Sequence, residues 1–222
     1  MLEGNILRRL KEMGDPSALE GMAKFGINTS SAYGVTVTEL RKMAKKIGQN
    51  RDLALRLWAS GVHEARILAS MIDDPERVNE KQMDAWVRDF DSWDVCDQVC
   101  GNLFDRTEFA YKKAFEWSHE KQEFVKRAGF VLMAGLSVHD KKAKDRDLEK
   151  FLPIIVREAT DERNYVKKAV NWALRQIGKR NAKLRGEALR TAAEIQKIDS
   201  PAAKWIAADA IRELEKKRFD AC

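Results

Sequence analysis

Apolar residues recur along this chain at spacings of three and four, and short polar or Gly/Pro breaks separate the periodic runs. The pattern predicts a short amphipathic helix over residues 1–13, stopped by Gly14-Asp15-Pro16. A second starts at Pro16 and carries Leu19, Met22 and Phe25 on its apolar stripe. Residues 26–35, GINTSSAYGV, break the periodicity and read as a loop around an isolated Tyr33, a packing anchor or a ligand contact. Thr36 with Glu39 is a capping box, and the helix it opens stops at Gly48. Further helices are predicted over 52–60, 64–72 and 82–90, then over a central stretch, 89–104. The rest of the chain gives helices over 108–119, 123–138, 148–159 (bent or begun by Pro153), 163–178, 183–198 and 201–219. A basic linker, DKKAKDRD, precedes residue 148. About twelve helices and no strand are expected.

A weak repeat runs through these helices. EFVKRAGFVLMAGL and NYVKKAVNWALRQI align when Phe124 is set against Tyr165, an offset of 41, and Trp205 lies 40 further on. Backwards, Trp93 precedes Phe124 by 31, and His63 lies another 30 before that. Helix pairs at such offsets fit a HEAT-like α-solenoid of about six antiparallel pairs, since one pair cannot bury both apolar faces. The alternative is a compact irregular helical domain. Residues 1–222 are expected to form one domain of this kind.

The central stretch DFDSWDVCDQVCGNLF adds chemistry to the pattern. With Asp91 or Ser92 as N-cap, Trp93 and Asp97 stand one above the other, next to an apolar seam of Val95, Cys96, Val99 and Cys100. A carboxylate there caps a neighbour, pairs with a buried cation or performs a function. Taking Trp93, Phe124 and Tyr165 as equivalent, Asp97, Arg127, Lys168 and Trp172 fall on one helical stripe. Stacked helices would then present them on one concave, basic groove. Arg127 would offer a forked set of donors to phosphate, and Lys126, Lys167, Lys168, Arg175, Lys179 and Arg180 would extend the positive field.

Charge supports a polyanionic partner. Of the formal +6, residues 1–122 hold 18 Lys/Arg against 20 Asp/Glu, and residues 123–222 hold 23 against 15. No stretch reaches transmembrane length and there is no secretory h-region, so a cytoplasmic protein is expected. Three cysteines make neither a disulfide framework nor a zinc motif; Cys96 and Cys100 read as buried thiols, and Cys222 ends the chain. The three histidines, His63 among them, read as structural or solvent-exposed.

In SWDVCDQ, EFVKRAGFVLM and NYVKKAVNWALRQIGK the sequence resembles the HEAT-like DNA alkylation repair proteins, the AlkD-type alkylpurine DNA glycosylases, over most of its length. The family's catalytic Trp-x3-Asp matches Trp93 and Asp97, its phosphate-binding Arg matches Arg127, and its second cleft Trp matches Trp172. The resemblance implies a superhelix of helix pairs gripping duplex DNA. It also implies release of cationic N3- or N7-alkylated purines without metal or cofactor, by a monomer, leaving an abasic site. The lesion would not need to enter an enclosed base pocket, unlike most flipped bases. The family's N-terminal cleft aromatic has no direct match. Met22 falls close to it, and Tyr33 is the substitute the loop offers. The competing reading is a non-catalytic module that binds damaged or branched DNA through the same surface, with a protein-binding scaffold as a third.

Overall fold

The computed structural model describes residues 3–216, and among these every regular element is helical. Backbone proximity divides the chain into two compact units, Met1–Glu108 and Phe109–Cys222, each with its own core. The end of the last expected helix, as far as Phe219, and Cys222 lie outside the described residues.

The first unit contains α1 (Glu3–Glu12), α2 (Pro16–Lys24), α3 (Val37–Ile47), α4 (Arg51–Ala59), α5 (His63–Ile72), α6 (Glu80–Arg88) and α7 (Trp93–Asn102). A 3-10 turn, Phe104–Arg106, follows. Side-chain oxygens of Asp15, Thr36, Asn50 and Asn79 accept the N–H groups of Ser17, Glu39, Leu53 and Gln82, satisfying donors that the first helical turn leaves open. Leu40, Leu53, Leu57, Leu68 and Met83 are fully buried between these helices. Trp58 stacks flat on Trp86 at 3.9 Å between ring centres. That pair accounts for two of the six tryptophans as core.

The second unit contains α8 (Ala110–Trp117), α9 (Glu123–His139), α10 (Asp145–Glu149), α11 (Leu152–Glu158), α12 (Asn164–Gly178), α13 (Ala182–Ile195) and α14 (Pro201–Lys216). Two elements differ from the sequence expectation. The linker DKKAKDRD is helical from Asp145 onward, and the helix expected over 148–159 is two pieces, α10 and α11. Pro153 explains the break: it has no N–H to continue a helix through Phe151 and sits in the first turn of α11 instead. Helix α9 packs against both α8 and α12, and α14 against α12 and α13. At the first crossing Gly129 is needed, since a Cβ there would lie 2.6 Å from the backbone nitrogen of Ser118.

Four of the five expected repeat positions coincide with helix starts; Trp205 is the fifth residue of α14. His63 and Trp93 are the first residues of α5 and α7, while Phe124 and Tyr165 are the second residues of α9 and α12. Phe124 and Tyr165 lie ring against ring at 5.6 Å, so one repeat position stacks on the next. No described helix is long and apolar enough to cross a membrane.

Candidate functional site

In the first unit the site is built at the start of α7. Val95, Cys96, Val99 and Cys100 are buried, while Trp93 and Asp97, one turn apart, are only half-buried. Ser92 holds the N-cap position but makes no cap bond to its own helix. Its hydroxyl instead accepts the Asn28 N–H at 3.1 Å, and Asp91 accepts the Asn28 side-chain amide at 2.8 Å. Trp93 Nε1 donates to the carbonyl oxygen of Phe25 at 3.0 Å. The irregular segment after α2 is thereby tied to the helix that carries the carboxylate.

The other end of that segment is held by α5. The Glu64 carboxylate, 1% exposed, accepts the N–H groups of Tyr33, Gly34 and Val35 at 2.7–3.2 Å. A buried charge is tolerable here because three backbone donors and the N-terminal turn of α5 face it. His63 N–H donates to the Ser31 carbonyl at 3.0 Å. Gly34 has φ +84° and lies against the Asp15 carbonyl, where a Cβ would come within 2.3 Å. His63, also buried, places Nε2 2.8 Å from Asp94 Oδ2. Burial alone would lower the His63 pKa, but the hydrogen bond and charge of Asp94 outweigh it and raise it. Burial would raise Asp94; the imidazole overrides that and lowers it. His63 is thus buried and paired, which removes the solvent-exposed alternative, and its partner Asp94 neighbours Trp93.

Tyr33 is half-buried, and its carbonyl accepts the Asp15 N–H at 2.9 Å, so its backbone belongs to the junction between α1 and α2. The aromatic attached to Trp93 is Phe25. Its side chain is 76% exposed, which corrects its expected place on the apolar stripe of α2. Helix α2 ends at Lys24 and buries no residue fully, so the periodicity that suggested packing stops one residue too early. The adjacent Gly26 was the available signal.

In the second unit the expected cations separate into distinct environments. Arg127 is 6% exposed, with one guanidinium nitrogen donating to the Tyr165 carbonyl at 2.6 Å. Lys126 pairs with Glu158 at 2.5 Å and Asp161 at 3.6 Å. Burial raises the Glu158 carboxyl pKa, but Lys126 and Arg157 bring it below its ordinary value. Arg175 pairs with Asp209 and Glu213, and Lys179 with Glu213, all across to α14. Arg180 donates to the Ser137 and Ala143 carbonyls. Lys167 lies over the ring of Trp205 at 5.3 Å. Lys168 is exposed and makes no ion pair among the described residues, and Trp172 is half-buried on the same helix. The sequence did not reveal this sorting, because each compensating acid lies 32 to 38 residues away, about one repeat along.

Among the described residues no group of three His, Cys, Asp or Glu side chains could hold a metal ion, and Cys96 and Cys100 are buried.

Residues 6–214 match the model of a protein family described as DNA alkylation repair enzyme. No curated protein matches the chain. A solved structure, described as a new family of proteins related to the HEAT-like repeat DNA glycosylases with affinity for branched DNA structures, shares the fold. It aligns with a TM-score of 0.79 at 20% identity, over 96% of this chain and 95% of that one.

Proposed function

The chain belongs to the DNA alkylation repair enzyme family, and from that premise we propose that it is a DNA glycosylase. Its substrate would be an N3- or N7-alkylated purine in duplex DNA, and its product an abasic site. The observation that carries this reading is the Trp93–Asp97 pair, an indole and a carboxylate one turn apart that both reach solvent beside the buried seam of α7.

An alkylated purine carries positive charge and leaves readily, while the deoxyribose becomes oxocarbenium-like. A single carboxylate therefore suffices where an unactivated glycoside needs two. Asp97 stabilises that developing charge or holds the attacking water, and Trp93 excludes bulk solvent beside it. Lys168 takes phosphate and Trp172 is the second indole offered to the sugar; Arg127, 6% exposed and bonded to the Tyr165 carbonyl, reaches a phosphate only by giving up that bond. Lys126, Lys167, Arg175, Lys179 and Tyr33 contribute less directly, the paired cations only by exchanging a carboxylate for a phosphate. No lysine is required as a Schiff-base nucleophile, so the backbone is left uncut.

Single-turnover release of N7-methylguanine or N3-methyladenine from methylated duplex tests this. Asp97→Asn lowers the rate at least about 100-fold while leaving duplex affinity close to wild type. Equal rates in variant and wild type would overturn the mechanism. A second reading, a module that binds damaged or branched DNA without chemistry, is favoured by the branched-DNA affinity of the solved relative. It requires tight binding with no base release above the uncatalysed rate.

A further inference from the structure

Trp58, Trp86 and Trp117 are core, and Trp93 and Trp172 have roles above, which leaves Trp205. It lies near the start of α14 and is 41% exposed. Lys167, from the first turn of α12, holds its ammonium 5.3 Å from the centre of the indole. Lys168 follows it, exposed and without an ion pair among the described residues.

The acids around these helix starts are already matched. Glu158 faces Lys126 and Arg157, and Asp161 faces Lys126 and Arg163. Glu162 accepts the Ser200 hydroxyl and the Ala202 N–H at the start of α14, and Asp199 pairs with Lys204. Lys167 thus carries positive charge at a partly exposed ring with no ion pair among the described residues, and Lys168, next in sequence, adds a second such charge to the same helix start. No acidic residue stands in the first turn of α12 to offset them.

We propose that Trp205, with Lys167 and Lys168, is a stacking platform for an unpaired nucleotide of bound DNA, at a single-stranded tail or branch. This rests on the reading that the chain binds DNA and adds a contact outside the lesion chemistry. An intact duplex conceals its base faces in the stack and offers this ring only sugar and phosphate. An unpaired nucleotide supplies a π face for the indole and a phosphate for the two ammonium groups, the combination that single-strand binding sites use.

The test compares the affinities of three DNAs: a blunt duplex, the same duplex with a short single-stranded tail, and one whose tail has abasic residues. Trp205→Ala weakens binding of the tailed duplex at least about fivefold, and leaves the blunt and abasic-tailed duplexes within about twofold. Trp205→Phe retains most of the preference. A loss equal on all three DNAs, or no loss on any, overturns the proposal. If Trp205→Ala dissolves a wild-type dimer in sedimentation velocity, a second copy covers the ring and the proposal is likewise overturned. Wild-type protein that binds none of the DNAs overturns the DNA-binding reading itself. A far-ultraviolet melting curve matching wild type shows that the variant folds.

Discussion

Around Trp93, much of the irregular segment 25–35 is held from two helix starts: Asp91, Ser92 and the indole of Trp93 at α7, His63 and Glu64 at α5. Helix starts suit this task because their orphan donors and dipole favour nearby carboxylates. The His63–Asp94 pair makes the arrangement pH-dependent, with Glu64 and Asp91 adding to the field at the imidazole. The raised His63 pKa gives a stabilisation that is complete below its unfolded value, about 6.5, and is lost as pH rises through the folded one. The lowered Asp94 pKa gives one that is present above about 3.8 and is lost as pH falls through its folded value. Stability from the pair therefore peaks between those limits. Urea midpoints of the wild type should decline from pH 6 to pH 8.5. Asp94→Asn should flatten that decline, and an unchanged slope would show that other groups cause it.

Within the elements, packing distance sets a second expectation. Gly129 lets α9 cross the end of α8 at backbone contact. Gly129→Ala should destabilise the protein by about 1–3 kcal/mol, because the added methyl meets backbone and no side chain can yield. A wild-type urea midpoint would mean that the two helices separate freely. Helix positions were legible in the sequence because they depend on neighbours three or four residues away, as the Thr36 cap illustrates. The alignment of Phe124 with Tyr165 was legible for the same reason, and the two rings do meet. The Glu64 clamp, the His63–Asp94 pair and the Trp93–Phe25 hydrogen bond were not. Each depends on residues brought together across 29 or more positions, a separation no periodicity encodes.

For the molecule as a whole, counting charges overstates the field available to DNA. The surplus lies in the C-terminal half, yet Lys126, Arg175 and Lys179 already face carboxylates. Lys168 does not. If the chain binds duplex DNA, the slope of log affinity against log salt should fall by about one in Lys168→Ala, and by much less in Lys179→Ala. Titrating both variants with one duplex at several salt concentrations checks this; equal slopes would mean that carboxylate pairing does not decide which cations reach phosphate.

The hydrogen bond from the Trp93 indole to the Phe25 carbonyl occupies the one donor that ring possesses. If DNA reaches this ring as proposed, the indole has no donor left with which to tell adenine from guanine. Chemical alkylation strikes purines wherever they occur. On the proposed glycosylase reading, indifference to the surrounding letters suits damage that falls at random.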